Sequence, residues 1–241
     1  MKTSISIVIP AKNEKTNIIV VLRKIAQYVK NDFECLIVVD DLFDETINAV
    51  NSFLETDKRF KIIINNLGHS PAYAIRAGIA QANSEILIIT MADGSDDPAL
   101  IDKLAELIER GVSVACASRY VSGGQQVGAK GIKSILSRLA GLLLFWFARV
   151  GTRDATNSFK AYSKPFIEKV SIESKFGFEL GIELVAKARR NRFLVAELPT
   201  IWIERSEGKS NFKLIKWLPK YLYWFIFAFR GRPVKSKMKR K

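Results

Sequence analysis

The first half of the chain alternates apolar runs with segments of helical length. Five apolar runs have the length and composition of buried strands, at residues 5–10, 34–41, 60–66, 85–93 and 112–119. Unbroken apolar strands that alternate with helices predict a parallel sheet that is covered by helices on both faces. In such sheets, ligands bind beyond the carboxyl ends of the strands.

The alternation stops near residue 120. A glycine-rich stretch, VSGGQQVGAKG, precedes an apolar helix at 133–149. A short strand-like piece, SFKAY, is followed by a helix around 181–190 and by a further strand, FLVAELPTIWI. Because the sequence has no internal repeat and no linker, we predict one domain at 1–212, which includes the apolar helix, and a C-terminal extension at 213–241.

Composition narrows the class of protein. Hydrophobic residues form 48% and charged residues 26% of the 241 positions, which is typical of a folded chain. Cys35 and Cys116 lie in apolar runs, so we interpret them as buried side chains in a protein from a reducing compartment. The single histidine, His69, excludes histidine-rich metal sites and most catalytic triads. Pro10 and Lys12 interrupt the N-terminal apolar stretch, so we expect no signal peptide.

Two short segments rich in Trp and Phe lie next to basic residues. LAGLLLFWFA stands between Arg138 and Arg149, and YLYWFIFAF precedes a basic tail at 230–241. Each run is shorter than the roughly 20 apolar residues of a spanning helix. We predict that both segments lie in a membrane interface, with a core helix as the alternative. The formal net charge of +14 suits nucleic acid and an anionic membrane equally, and the aromatic segments favour the membrane.

Acidic residues gather where the predicted strands end, although the chain as a whole is basic. These acids are Glu14 after the first strand, Asp40 and Asp41 after the second, and Asp93, Asp96 and Asp97 after the fourth. Like charges in a buried site are costly unless a cation or hydrogen bonds compensate. The pattern predicts a nucleotide pocket with a divalent cation, and the alternative is a solvated acidic rim. Neither GxxxxGKS/T nor GxGxxG occurs, which excludes P-loop NTPases and dinucleotide-binding oxidoreductases.

Eight motifs occur in the order and with the spacing of one enzyme family. They are PAKNE, VVDD, NLGHSPAYAIRAG, MADGSDDP, ASRYVSGG, DATNSFKAY, FGFELGIELVAKA and RSEGKSNF, from about Ser4 to Phe212. The first five resemble the inverting family 2 glycosyltransferases, which have the GT-A fold, a Rossmann-like α/β fold with a mostly parallel sheet flanked by helices. The last three resemble the polyprenyl-phosphate branch, which includes the dolichol-phosphate mannose synthases. The resemblance implies a nucleotide-diphospho-sugar donor, a polyprenyl phosphate acceptor, and Mg²⁺ or Mn²⁺.

The resemblance also implies roles for individual residues. The donor site would comprise Pro10, Ala11, Glu14, Val39, Asp41, Ala92, Asp93 and Ser210. Asp93 and Asp96 would hold the metal, and with Arg119 and Arg205 they form the expected catalytic group. The acceptor and phosphate groups would be bound by Arg119, Lys133, Ser137 and Arg205.

Some positions depart from the family pattern. Met91 stands where the family has the first Asp of Asp-Ala-Asp, and we expect Asp96 to compensate for it. Asp97 is expected to cap the next helix, because a carboxylate suits a helix N-terminus. The other departures are Lys12 for an aromatic residue, Leu42 and Phe43 for Gly-Ser, Lys133 for an Arg, and Asn211 for a common Lys.

Four further polar residues have two interpretations each. Asp154 and Asn157 either hydrogen-bond a loop or face the acceptor. Glu179 and Glu183 lie four residues apart, on one face of the predicted helix. Either glutamate would orient an arginine or form a structural ion pair, and we favour the ion pair.

The chemistry of the acceptor explains why the predicted site is basic. A phosphomonoester with a second pKa of about 6 is already a dianionic nucleophile near pH 7, so cations are needed more than a general base. The candidate cations are Arg119, Lys130, Lys133, Arg138, Arg205 and Lys209.

We therefore predict an enzyme that transfers a hexose to a polyprenyl phosphate. It would act peripherally on the cytoplasmic face of a membrane, without a nucleic-acid partner, and the sequence leaves a membrane-protein partner open. One alternative is a family 2 transferase with a hydroxyl acceptor on a glycan or glycolipid. The other is a non-enzymatic binder of nucleic acid or membrane.

Overall fold

The computed structural model describes residues 4–128, 132–204 and 214–230, with the backbone alone at 132, 133 and 214–216. The strands are β1 (Ser4–Pro10), β2 (Asp32–Val39), β3 (Phe60–Ile64), β4 (Ile86–Ile89), β5 (Val114–Ser118), β6 (Gln125–Val127), β7 (Lys160–Ser163), β8 (Val195–Pro199) and β9 (Ile201–Ile203). The α-helices are α1 (Asn17–Tyr28), α2 (Glu45–Thr56), α3 (Pro71–Gln81), α4 (Ile101–Glu109), α5 (Ile132–Leu143), α6 (Lys164–Lys169), α7 (Leu180–Arg190) and α8 (Leu214–Phe229). A 3₁₀ turn at Pro98–Leu100 precedes α4, and a π-helical turn at Leu144–Ala148 follows α5.

Seven strands form the central sheet, in the order β3-β2-β1-β4-β7-β5-β8. β7 runs antiparallel to both of its neighbours, β4 and β5, and the other neighbouring pairs are parallel. The predicted mostly parallel α/β fold is therefore confirmed. The short SFKAY run supplies the antiparallel strand, which lies inside the sheet between two strands from the first half of the chain.

The strands predicted at 34–41, 60–66, 85–93 and 112–119 all end one to four residues early, and two of the predicted strands differ from the apolar pattern in ways that shape the site. β4 stops at Ile89, so residues 90–93 already belong to the loop that carries the acids. The run at 193–203 is divided at Thr200 into β8 of the central sheet and β9, which pairs with β6. The N–H of Thr200 donates to the carbonyl of Ser118 at 3.0 Å, and its own carbonyl accepts the N–H of Gln125 at 2.9 Å. Thr200 therefore bonds to both sheets at the point where the chain passes between them.

Both faces of the central sheet are buried, which explains the unbroken apolar strands. Ile7 and Ile9 of β1 belong to the core cluster that includes residues of α1 and α4. Val8, between them, packs with residues of α3 on the opposite face, as expected for alternating side chains in a strand. Gly78 of α3 permits this packing, because a Cβ at that position would lie 2.4 Å from Val8 Cγ1.

A second core cluster lies beneath the C-terminal half of the chain. Its fully buried members include Tyr162 and Phe166, and Trp224 of α8 is 4% exposed in the same cluster. α8 is thus anchored in the fold by an aromatic side chain. Cys35 and Cys116 are both buried with free thiols, as the sequence predicts.

α5, the π-helical turn and α8 each have one buried side and one exposed apolar side. The buried residues are Gly141 of α5, Leu144 and Ala148 of the π-helical turn, and Trp224 and Ala228 of α8. The exposed apolar residues are Ile135, Leu136, Leu139, Trp146, Phe147, Leu218, Leu222, Tyr223, Ile226 and Phe229, and we refer to them as the apolar surface. These segments therefore pack in the core on one side, as the alternative interpretation expects, and expose apolar residues on the other side. Over the ranges that the structure describes, every helix is too short or too polar to cross a bilayer.

Candidate functional site

The loop between β4 and α4 holds three carboxylates, and each of them bonds within the loop. Asp97 accepts the backbone N–H of Ala99 at 3.0 Å at the start of the 3₁₀ turn, which confirms its predicted capping role. Asp93 Oδ1 accepts the N–H of Ser95 at 3.1 Å. We refer to residues 90–97 as the acidic loop.

Asp96 is the buried carboxylate of the acidic loop, with 8% of its surface exposed. Its Oδ2 accepts the hydroxyl of Thr90 and the N–H of Met91, both at 3.0 Å. Burial and the negative charge of Asp93 raise the pKa of Asp96 to about 7, against the opposing effect of these hydrogen bonds. Asp96 therefore fixes the backbone of Met91, the residue whose side chain departs from the family pattern.

Asp93 and Asp96 supply oxygen ligands of the kind that Mg²⁺ and Mn²⁺ prefer. Within the described ranges, no group of three His, Cys, Asp or Glu side chains comes together as a metal site. Mg²⁺ is usually held by one or two carboxylates together with substrate phosphates and water, so two carboxylates suffice beside a diphosphate. A cation would also relieve the repulsion between Asp93 and Asp96. The residues present therefore fit a divalent metal.

The predicted donor residues within the described ranges lie along the carboxyl edge of the sheet. Pro10 ends β1, and its register partner is the penultimate residue of β2. Ala11, Val39 and Ala92 are buried. Glu14 is half-buried in the loop after β1, and its N–H donates to a hydroxyl of α2 at 3.0 Å.

Of the two aspartates that follow β2, Asp40 is the buried one, with 8% of its surface exposed. Its Oδ1 accepts the side-chain amide of Asn65 at 3.1 Å. Its Oδ2 lies 3.3 Å from Lys12 Nζ and 3.9 Å from His69 Nδ1. The structure therefore adds Asp40 and Asn65 to the candidate site. Lys12, which stands where the family has an aromatic residue, lies beside Asp40.

Asp41, the predicted donor ligand, is exposed to solvent. Its Oδ1 accepts the N–H of Phe43 at 2.8 Å, so the carboxylate shapes the turn after β2. The next carboxylate, Asp44, is buried and accepts the backbone N–H of Asn13 at 3.0 Å and that of Thr46 at 2.9 Å. Asp44 thereby ties the loop after β1 to the start of α2.

Arg119 follows β5 and is held by a buried aspartate. Its Nε lies 2.7 Å from Asp154 Oδ2 and its Nη2 lies 2.8 Å from Oδ1, and the Arg119 backbone N–H also donates to Oδ2 at 3.0 Å. The exposed fraction is 9% for the Arg119 side chain and 0% for that of Asp154. Burial disfavours both charges, yet the pairing lowers the pKa of Asp154 and raises that of Arg119. The sequence singled out both residues but not their partnership.

A cluster of hydroxyl groups surrounds the guanidinium of Arg119. Its Nη2 donates to Ser137 Oγ at 3.3 Å and to Thr156 Oγ1 at 3.1 Å. Ser137 Oγ and Thr156 Oγ1 are 2.6 Å apart, and the Tyr120 hydroxyl donates to Ser137 at 3.0 Å. Two predicted phosphate ligands, Arg119 and Ser137, are thus brought together from β5 and α5. The charge of Arg119 also lowers the pKa of Asp96, which links this cluster to the acidic loop.

Hydrogen bonds from two buried side chains, Asn157 and Lys160, hold the loop that carries Asp154. Asn157 Nδ2 donates to the carbonyl of Ala117 at 2.9 Å, which confirms the loop interpretation of Asn157. Lys160 is fully buried, and its Nζ donates to the carbonyls of Ala155, at 3.2 Å, and of Asn157. Burial lowers the pKa of Lys160. The ammonium group therefore sits beneath the loop that orients Arg119.

The two glutamates around the start of α7 have different structural roles. Glu183 is fully buried and lies 2.6 Å from Lys187 Nζ, which confirms the structural ion pair. Glu179 accepts the backbone N–H groups of Phe176, at 3.1 Å, and of Gly177, at 2.7 Å. Glu183 also accepts the backbone N–H groups of Glu173, at 2.7 Å, and of Ser174, at 2.8 Å, so both carboxylates stabilise the segment that leads into α7.

Several predicted residues lie outside the described ranges. These are Lys130, Arg205, Lys209, Ser210 and Asn211, together with the side chain of Lys133 and the basic tail from residue 231. β9, the strand that precedes Arg205, is fixed to the acidic loop, because the N–H of Ile203 donates to the carbonyl of Ser95 at 3.2 Å.

Residues 6–171 match the family described as Glycosyl transferase family 2. A dolichol-phosphate mannosyltransferase from Pyrococcus furiosus is 26% identical over 213 residues, which is 87% of this chain and 59% of that protein. A polyprenol monophosphomannose synthase from Mycolicibacterium smegmatis is 27% identical over 214 residues, which is 85% of this chain and 79% of that protein. The match thus spans less than two thirds of the length of the Pyrococcus relative.

Solved structures of glucosyl-3-phosphoglycerate synthase from Mycobacterium tuberculosis share the fold. The complex with Mn²⁺, UDP and glucosyl-3-phosphoglycerate has a TM-score of 0.71 at 14% identity, covering 97% of this chain and 82% of that chain. The complex with Mg²⁺ and UDP has a TM-score of 0.68 at 15% identity, covering 97% of this chain and 81% of that chain. These neighbours are GT-A glycosyltransferases, and the likeness establishes the GT-A fold. Because the family model matches residues 6–171, which is most of the chain, the protein belongs to glycosyl transferase family 2.

Proposed function

We propose that this enzyme transfers a hexose, with inversion, from a nucleotide-diphospho-sugar to a polyprenyl phosphate at a membrane surface. The observation that carries the proposal is the contact between Arg119 Nη2 and Ser137 Oγ, at 3.3 Å. Ser137 belongs to α5, the helix that also exposes Ile135 and Leu139. A cationic, hydroxyl-rich cluster and an apolar surface are thereby joined through one helix. This pairing suits an acceptor with a phosphate head and an isoprenoid tail.

The names of the two sequence relatives support the same acceptor class. One is a dolichol-phosphate mannosyltransferase and the other a polyprenol monophosphomannose synthase. By analogy with both names, mannose is the first hexose to test. The donor nucleotide is either GDP or UDP.

Asp93, with Asp96 beside it, would hold Mg²⁺ or Mn²⁺ against the donor diphosphate. The bound metal would neutralise phosphate charge and stabilise the departing nucleoside diphosphate. The neighbouring structures with Mn²⁺ or Mg²⁺ and UDP support the use of a divalent metal. Asp40 and Asn65 lie at the carboxyl ends of β2 and β3, on the donor side of the site.

Arg119 would hold the acceptor phosphate in line with the sugar. Asp154 fixes the plane of the guanidinium, so little conformational freedom is lost when a phosphate binds. The hydroxyls of Ser137 and Thr156 bond to each other at 2.6 Å, and either would rotate to donate to a phosphate oxygen when the acceptor binds. A phosphate dianion needs no proton removed before it attacks the anomeric carbon, so no residue is required to act as a base.

The apolar surface would place the enzyme at the membrane. Trp146 and Phe147 are 65% and 71% exposed, and aromatic residues favour the interface between lipid and water. The basic tail would add attraction to an anionic leaflet. We therefore place the enzyme peripherally on the cytoplasmic face of a membrane.

A hydroxyl acceptor is the second candidate. It is favoured by the pKa of about 7 of Asp96, a value that suits a general base. The two bonds that Asp96 Oδ2 already accepts from Thr90 and Met91 argue against a role as general base for this carboxylate.

A donor and acceptor screen tests the proposal. Full-length enzyme is incubated with GDP-mannose or a UDP-hexose and a short polyprenyl phosphate, with Mn²⁺ or EDTA, and release of nucleoside diphosphate is measured. The matched control acceptor is the same polyprenol without phosphate. We expect release only with the phosphorylated acceptor and a divalent cation. Turnover with the polyprenol would establish the hydroxyl-acceptor alternative, and no turnover with either lipid would contradict the polyprenyl acceptor.

A further inference from the structure

A second concave site lies at the opposite end of the sheet from the acidic loop. β5 and β8 are parallel, with Val114 opposite Val195 at their amino ends and Ser118 opposite Pro199 at their carboxyl ends. The Arg119 cluster follows the carboxyl end, whereas a cleft of about 430 Å³ opens at the amino end. The residues that line the cleft are Arg149, Val150, Gly151, Arg189, Arg192, Phe193, Leu194 and Val195. The length of β8, about 13 Å at ~3.3 Å per residue, separates the two sites.

This arginine cleft is strongly basic. Arg149, Arg189 and Arg192 all line it, and no acid occurs among the described residues of its wall. Lys169 Nζ lies 5.5 Å from the ring centroid of Phe193 and adds a cation at the rim. A concave wall with charges of one sign concentrates the opposite charge. Arginine is the side chain best suited to phosphate, because its planar fork donates two parallel hydrogen bonds.

The backbone at two of these arginines is left-handed. Arg149 has a φ of 53° after the π-helical turn, and Arg192 has a φ of 63° after α7. Glycine and asparagine are the usual residues in this conformation, which is strained for a long side chain. Three non-glycine residues in the described ranges have positive φ, and two of them line this cleft. Arginine at both positions indicates that the side chains have a role beyond the turn itself.

The cleft lies beside the apolar surface. Trp146 and Phe147, both exposed, precede Arg149 by three and two residues. The guanidinium carbon of Arg190 lies 4.5 Å from the ring centroid of Phe227 in α8, which connects the end of α7 to the second apolar helix. A phosphate bound in the cleft would therefore lie close to the surface that we expect to meet lipid.

We propose that the arginine cleft is a phosphate-binding site distinct from the donor and acceptor sites. Its volume lies within the range of small-ligand pockets, about 300–1,000 Å³. The ligand chemistry is a phosphate group held by the forks of Arg149 and Arg192. An anionic phospholipid headgroup and a free phosphate compound are two sources of that group, and the two arms of the experiment distinguish them.

The test variant is the double substitution Arg149→Asn and Arg192→Asn in the full-length chain. Asparagine tolerates the left-handed backbone, so the turns are retained while two cations are removed. The control is Arg23→Gln and Lys24→Gln, which removes two exposed cations from α1, a helix packed in the other core cluster. If the asparagine variant fails to fold, glycine at both positions replaces it, because glycine also suits this backbone.

In the first arm, co-sedimentation is measured with phosphatidylcholine vesicles and with vesicles that also contain phosphatidylglycerol. One Lys or Arg at an anionic surface adds about fivefold to binding, so the cleft variant should lose roughly 30-fold in affinity for the anionic vesicles. The control variant should lose less than about threefold. In the second arm, the melting temperature is measured with inorganic phosphate and with glycerol 3-phosphate, against chloride of equal ionic strength.

Loss of vesicle affinity in the cleft variant alone would identify a lipid headgroup as the ligand. A phosphate-induced rise in melting temperature that the cleft variant alone lacks, with unchanged vesicle affinity, would identify a soluble phosphate compound. The proposal is overturned if the cleft variant matches the wild type in both arms. It is equally overturned if the control variant shows the same losses.

Discussion

Arg119 and Asp154 form a two-point ion pair, with Nε to Oδ2 at 2.7 Å and Nη2 to Oδ1 at 2.8 Å, and both side chains are buried. The pair joins the end of β5 to the loop before β7. It sets the orientation of the cation that we assign to the acceptor phosphate. We therefore expect stability and catalysis to depend on the same contact.

Asp154→Asn should destabilise the fold and reduce transfer. Removing one member of a buried pair leaves the other charge uncompensated, which costs about 3–5 kcal/mol of unfolding free energy. Asp57→Asn is the matched control, because Asp57 pairs with the partly exposed Arg59 and such pairs contribute about 0–1 kcal/mol. Urea titrations of both variants measure the difference. Equal losses in the two variants would show that burial of the Arg119 pair contributes nothing.

Asp93→Ala should abolish transfer and leave the fold intact. Its carboxylate is assigned to the metal. The bond that Asp93 accepts from the N–H of Ser95 is lost, and removing the charge that repels Asp96 offsets this cost. Asp97→Ala, four residues on, is the control, since loss of a capping bond costs about 1 kcal/mol but no metal ligand. Sugar transfer is measured across a Mn²⁺ series, with circular dichroism as the test of folding. Full activity of Asp93→Ala with an unchanged Mn²⁺ response would remove Asp93 from the metal site.

The stability of the metal-free enzyme should fall as pH rises from about 4 to about 7 because of Asp96. Its pKa is about 7 in the folded protein, whereas an unfolded aspartate has a pKa of about 4. Between these values the native state binds the extra proton, so the free energy of unfolding decreases with increasing pH. This contribution is complete below the unfolded pKa and is lost as pH rises through the folded pKa.

Unfolding in EDTA at a series of pH values measures the effect, and Asp96→Asn should flatten the slope. Mn²⁺ should stabilise the wild type more near pH 7.5 than near pH 5, because a cation favours the ionised carboxylate. An identical pH slope in the wild type and in Asp96→Asn would contradict the assignment.

Trp146→Ser with Phe147→Ser should weaken binding to vesicles, and the loss should persist at high salt. Ions do not weaken the burial of aromatic surface in the membrane. They do screen the attraction between the basic tail and an anionic membrane surface. Deleting residues 231–241 should therefore matter at low salt and much less at high salt. Val20→Ser with Tyr28→Ser on α1 is the control, since these residues are 49% and 45% exposed.

Substitution is a cleaner test than truncation of α8, because truncation would remove Trp224 from the core. Unchanged sedimentation of the Trp146 and Phe147 variant would contradict insertion of the apolar surface.

The sequence by itself determined the strands of the parallel sheet, the gathering of acids at their carboxyl ends and the family. These features are encoded locally, by apolar runs, by their spacing and by short motifs. Asp97 was identified as a cap for the same reason, because its bond reaches only two residues along the chain. The strand at Lys160–Ser163 was also visible as a short apolar run, although its place between β4 and β5 was not.

The tertiary structure decided which of these residues act together. Asp154 is 35 residues from Arg119, so no local pattern reveals that the two charges pair. Adjacent residues at the end of a strand face opposite ways, and here Asp40 is buried whereas Asp41 is exposed. The sequence does not reveal this difference, because a strand that is buried on both faces has no alternation of apolar and polar residues. Likewise, the division of α5 and α8 into a buried and an exposed side depends on which helices pack beneath them. Apolar residues in these helices lie both in the core and on the surface, and only the contacts of the folded chain decide which residues are buried.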